Sequence, residues 1–127
     1  ELNEADHKLI IEHITLEYFP KNHIIFKEND PGNAVYIIKH GAVRIYHEAE
    51  TAYEEEEIAH LTDNDFFGEM AIISEKPRNA TAQATEESEV FVLKKDDFIQ
   101  LVSNNPNIAN HISKEFMSRL KINLRKN

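Results

Sequence analysis

Residues 66 to 82 read FFGEMAIISEKPRNATA, and within them Gly68 and Glu69 stand side by side with Arg78 nine positions beyond the carboxylate. Gly68 opens a short helical turn, EMAIIS, and a helix that begins at glycine presents backbone N–H groups and a partial positive charge to any nearby anion. Arg78 adds a permanent charge and a planar fork of donors that suits two phosphate oxygens. Pro77 stiffens the approach, and the short side chains of Ala80 and Thr81 let a ligand come close to the backbone.

Glu69 discriminates among anions. A carboxylate beside a bound phosphate is repulsive unless a hydrogen-bond donor lies between them, and a sugar hydroxyl is such a donor. In a 3′,5′-cyclic nucleotide the ring phosphate occupies two ribose oxygens and leaves the 2′-OH free, so one acceptor and one cation match that ligand. Spacing alone equally allows a surface turn closed by a Glu69–Arg78 ion pair worth ~0–1 kcal/mol.

Such a site needs a scaffold. Asn3 can cap an N-terminal helix, with Asp6 three positions on and Leu9, Ile10, His13 and Ile14 at helical spacing. Pro20 ends that segment. From there the pattern turns to short β-rich runs at 23–27, 34–39, 42–47, 57–61, 80–84 and 89–94. Turn residues punctuate them, among them NDPGN at 29–33 and TDND at 62–65. Many short strands at regular spacing predict a sandwich or barrel, with Phe66 and Phe67 plugging it. KDDFIQLVSN reads as a short closing helix. Asn105 and Pro106 then cap a second helix, whose stripe Ile108, Ile112, Phe116 and Leu120 runs over roughly 20 residues, or about 30 Å.

Composition removes other classes. The chain has 127 residues, 41% of them apolar, which suits one domain with one core. Fourteen basic against 23 acidic residues give a net charge of −9. That balance disfavours contact with nucleic acid, which needs a basic face, and with an anionic membrane. Without cysteine there is no disulfide or thiolate metal site. No run reaches the roughly 18 apolar residues of a membrane span, and a cytoplasmic setting fits. The chain begins at Glu1, so we read it as a piece of a longer protein. The acidic run YEEEE at 53–57 reads as a solvated hairpin rim.

The segment strongly resembles the phosphate-binding cassette of the cyclic nucleotide-binding domain family, whose pattern is Phe-Gly-Glu-(Leu/Met)-Ala, a variable stretch, then Pro-Arg-x-Ala-(Thr/Ser). Here that is Phe67, Gly68, Glu69, Met70 and Ala71, then Pro77, Arg78, Asn79, Ala80 and Thr81. The likeness continues upstream through NDPGNAVYIIKHGAVRIY and downstream through VFVLKKDDFIQLVSNNP, and so covers essentially the whole chain.

The resemblance implies a mainly β fold with flanking helices: a jelly-roll-like β-roll over 19–95 containing the cassette at 67–81, a helical segment at 1–18 and C-terminal lid helices at 96–127. It assigns Glu69 to the ribose 2′-OH and Arg78 to the cyclic phosphate, with backbone N–H groups from Gly68 to Ala71 and of Ala80 completing the cradle. Ala59 and Leu61 share a strand face; Ala59 is taken as a wall of the base pocket and Leu61 as core. A family Thr or Ser after the arginine favours cGMP, and Ala is common with cAMP. Asn79 is neither, and its amide can donate and accept. We adopt cAMP as the ligand, with a cGMP-selective or promiscuous site as the alternative, and no cofactor. Arg119 is the candidate to stack on the purine from the last helix. That helix would relay binding to an output module or partner outside this chain, a truncated Crp/Fnr-like transcription regulator being one alternative.

A cupin-type metal enzyme is the rival class. The histidines at 7, 13, 23, 40, 47, 60 and 111 include no H-x-H or H-E-x-x-H spacing, although His47 and His60 can fall on neighbouring strands. No general base or metal cluster supports catalysis, so the expectation is a sensor and not an enzyme.

Overall fold

Alternation of apolar and polar side chains along the short runs builds two four-stranded antiparallel sheets. The computed structural model describes residues 12–49 and 54–104, together with Glu4 and Lys8. The strands are β1 Thr15–Phe19, β2 Ile24–Phe26, β3 Ala34–His40, β4 Ala42–His47, β5 Glu56–Thr62, β6 Phe66–Phe67, β7 Thr81–Ala84 and β8 Ser88–Lys94. Helix α1 spans Glu69–Ser74 and α2 Lys95–Asn104. One sheet has the order β1-β8-β3-β6 and the other β2-β7-β4-β5. This is the β-roll expected from the sequence.

Ala34, Tyr36, Ile38, Val43, Leu61, Phe67, Ala82, Val90 and Val92 fill the space between the sheets. On strand β3 the alternate residue Val35 faces the other way. It joins Leu93, Ile72 of α1, and Phe98 and Leu101 of α2 in a second cluster, so the helices cover the outer face of the first sheet. Asparagines take the left-handed backbone at the turns, at Asn22, Asn29 and Asn64. Their short polar side chains tolerate that region better than most residues do.

Two expectations need correction. The helical segment read to residue 18 gives way to strand β1 at Thr15, which pairs with β8 from Thr15↔Val92 to Phe19↔Ser88. TLEYF also alternates in the β manner, and Phe19 packs on the inner core. The open edge of β8 therefore decides against helix. Its proposed beginning, from Asn3 to Ile10, falls mostly outside the described residues, as do Asn105 to Asn127. Nor do both phenylalanines plug the roll. Phe67 lies in the inner core while Phe66, its side chain on the opposite face, packs on the outer cluster.

Gly41 between β3 and β4 is required by space and by backbone. Its φ is +129°, and a Cβ there would lie 2.2 Å from Oγ of buried Ser88. That hydroxyl donates to the carbonyl of Glu86 at 2.9 Å and accepts from the amide of Ala42 at 3.2 Å. Gly41→Ala is therefore expected to destabilise the domain by about 2 kcal/mol or more. The midpoint of urea unfolding checks this; an unchanged midpoint contradicts it.

Candidate functional site

The polypeptide between β6 and β7 folds back on the turn between β2 and β3. Gly68 caps α1 in the left-handed conformation, φ 88° and ψ −1°. A side chain there would press within 2.9 Å of an Arg78 nitrogen and 3.0 Å of the Tyr36 ring, so close approach as well as backbone favours glycine. Gly32 lies on the β2–β3 turn against α1, where a Cβ would come within 2.3 Å of the Ala71 Cβ. Two backbone hydrogen bonds tie the layers together. The amide of Asn29 donates to the carbonyl of Arg78 at 2.7 Å, and the amide of Arg78 donates to that of Asp30 at 2.8 Å.

Glu69 is 0% exposed and Arg78 3% exposed. A surface turn is thereby excluded, because both charges have left water and neither is cheap to bury. The Arg78 guanidinium donates one Nη to the carbonyl of Gly68 and the other to that of Ala34 at 2.8 Å. Its central carbon lies over the Phe26 ring, 4.2 Å from the centroid, and 5.7 Å from that of Tyr36. Nε is buried with no hydrogen-bond partner. Burial pulls the guanidinium below its ordinary pKa, while Tyr36, Glu69 and Asp30 act in the opposite direction. It remains a cation at any physiological pH, held dry and with donor capacity to spare.

The structure brings Gly68, Glu69 and Arg78 together, with Ala71 of the same helix lying against Gly32. Phe67, Ala71 and Ala80 are buried and Asn79 is exposed. Met70 lies in α1, next to Glu69. Ala59 pairs with Ile45 and is half-buried against the inner core, whereas Leu61 is a core residue, as expected. Arg119 and the stripe from Ile108 to Leu120 lie outside the described residues. Thr81, fully buried, donates to Glu48 at 2.8 Å and accepts from the amide of Glu28 at 3.0 Å, anchoring the strand that leaves the cassette.

Sequence reading missed Phe26, Tyr36 and Gly32 as shapers of the site. Phe26 looked like one more strand residue; its place three positions before Asn29 of the NDPGN turn was the available signal. His47 and His60 are indeed on neighbouring strands but not opposite each other, pairing with Glu56 and Arg44. Among the described residues no group of three or more His, Asp or Glu side chains could hold a metal ion, and no helix is long and apolar enough to cross a membrane.

Comparison with known proteins converges on the same assignment. The cyclic AMP receptor protein of Thermus thermophilus is 28% identical over 113 residues, covering 89% of this chain and 52% of its own. A cAMP-dependent protein kinase regulatory subunit of Emericella nidulans is 35% identical over 101 residues, 80% of this chain and 23% of that protein. This chain therefore spans about half of the first relative and a quarter of the second. The crystal structure of the Thermus thermophilus catabolite activator protein superposes with a TM-score of 0.80 at 28% identity, covering 94% of this chain and 56% of that one. The profile of the cyclic nucleotide-binding domain matches residues 16–105, so the chain belongs to the cyclic nucleotide-binding domain family.

Proposed function

We propose that the domain is a cAMP sensor that binds its ligand reversibly, releases it uncleaved and passes the event to an output module through its C-terminal helix. The observation that carries this reading is the pair of buried opposite charges, Glu69 and Arg78, with an Arg78 nitrogen left unpartnered. A dry cation with spare donors gains most from an anion that arrives with hydroxyls for the neighbouring carboxylate.

In this reading Arg78 takes the cyclic phosphate together with N–H groups from Gly68 to Ala71 and of Ala80. Glu69 accepts from the ribose 2′-OH. Phe67 and the backbone of Met70 belong to this cradle, Ala59 lines the base pocket and Arg119 stacks on the purine. The choice of cAMP rests on the names of the two relatives and on the absence of a Thr or Ser hydroxyl at Asn79. Relay is supported by packing: Ile72 of the cassette helix shares an apolar cluster with Phe98 and Leu101 of α2. A shift of α1 on ligand binding therefore acts directly on the helix that leads into residues 105–127. A ligand drives such a shift only by binding one arrangement better. A cytoplasmic setting, where cyclic nucleotides are made, completes the reading.

Calorimetric titration with cAMP and with cGMP, followed by analysis of the recovered ligand, tests this. Saturable binding with cAMP favoured and recovered intact is expected. No binding of either to folded protein overturns the sensor, tighter cGMP overturns the choice of nucleotide, and linear monophosphate moves the domain among the enzymes.

A further inference from the structure

Beyond the cassette itself, a residue on the opposite strap sets the orientation of its cation. We propose that Phe26 is a positioning residue: its ring face fixes the plane and direction of the Arg78 guanidinium before ligand arrives. The proposal rests on the reading of Arg78 as the phosphate-binding cation and concerns how that cation is held ready.

Three observations carry it. The guanidinium carbon stands 4.2 Å from the Phe26 centroid, well inside the range in which a ring quadrupole attracts a cation, and the site is dry. The ring is itself braced, by Tyr36 at 5.7 Å and by Phe67 at 6.0 Å between centroids, with Tyr36 and Phe67 stacked on each other at 5.1 Å. Finally, Phe26 ends β2 where the chain enters the turn that holds residue 78 by its backbone, through Asn29 and Asp30. Ring and guanidinium therefore come from two segments tied to each other by backbone hydrogen bonds. The two carbonyls of Gly68 and Ala34 fix the ends of the fork. They leave the guanidinium free to tilt about the line joining the two Nη atoms, and the ring face removes that freedom. An aliphatic side chain fills the volume without the quadrupole and restores the tilt.

The experiment is a set of full-length variants titrated with cAMP, with thermal unfolding recorded alongside. Phe26→Leu is expected to weaken binding about 5- to 30-fold. Phe26→Tyr, which keeps a ring face, should stay within about twofold of the unmodified protein. In an Arg78→Ala background, titrated by NMR up to millimolar ligand, Phe26→Leu should add nothing, since the ring acts through the cation. An undiminished loss in that background means that Phe26 touches the ligand or supports the fold generally, and overturns the proposal. So does failure of tyrosine to restore affinity. The Arg78 Nε–Hε resonance of the ligand-free protein gives an independent readout. It should shift markedly in Phe26→Leu and little in Phe26→Tyr, and an unmoved resonance overturns the proposal. Absence of cAMP binding by the unmodified protein would instead strike the sensor reading, with the resonance still judging the ring–cation contact.

Discussion

Arg78→Ala should weaken cyclic nucleotide binding by ~2–5 kcal/mol, about 30-fold to several thousand-fold. The size follows from burial. The guanidinium is 3% exposed, so in the proposed role it would meet the phosphate without water between them, and truncation would leave a dry cradle without its counter-charge. The substitution also carries a smaller cost to folding. The carbonyls of Gly68 and Ala34 lose their donors and Phe26 loses the cation over its face. Removing a desolvated charge offsets part of this, so a stability loss of ~1–2 kcal/mol is expected. Arg78→Lys keeps the charge but not the fork and should fall between the two. Calorimetry and urea unfolding on the same preparations separate the effects. An affinity left within about threefold of the original would show that Arg78 is a structural arginine and nothing more.

Phe67→Ala is expected to cost ~3–5 kcal/mol of stability, the range for truncating a fully buried aromatic side chain. Phe67 is 1% exposed, stacks on Tyr36 and lies immediately before Gly68, so the cavity opens beneath the cassette. Phe66→Ala should cost clearly less, because that ring is half-buried on the outer face against α2. The difference between the neighbours is the sharper prediction. Equal shifts in unfolding midpoint would contradict the assignment of the two rings to opposite faces.

Much of the β-roll was legible because its signals are local. Apolar alternation and the Asn, Asp and Gly punctuation set six strands to within a residue or two, and the turn asparagines at 22, 29 and 64 do adopt left-handed backbone. Strand β1 was not legible. The helical spacing of Leu9, Ile10, His13 and Ile14 runs directly into Thr15 to Phe19, and what makes that stretch a strand is pairing with the free edge of β8, 69 to 77 residues away. The two-residue strand β6 is too short to carry any periodic signal.

The candidate site divides in the same way. Gly68, Glu69 and Arg78 could be read because a glycine, an acceptor and a cation close together constrain the ligand chemistry. What spacing could not supply was burial, the quantity that separates a binding cassette from a surface ion pair. Phe26 and Tyr36 come to Arg78 from positions 52 and 42 residues earlier in the chain. Nothing in the local pattern of either announces a cation on its ring face.

The central claim, that one carboxylate reads the ribose hydroxyl beside a phosphate held by arginine, is tested most directly by a cycle of two ligands and two proteins. cAMP and 2′-deoxy-cAMP are titrated calorimetrically into the unmodified domain and into Glu69→Ala, with unfolding curves to establish that the variant is folded and Glu69→Gln as the volume-preserving substitute. For the unmodified domain, loss of the hydroxyl should cost ~1.5–3 kcal/mol, about 10- to 150-fold, the worth of a hydrogen bond to a charged group. For Glu69→Ala the two ligands should bind almost equally. A deoxy penalty of the same size in both proteins would mean that Glu69 does not read the hydroxyl, and would contradict the account.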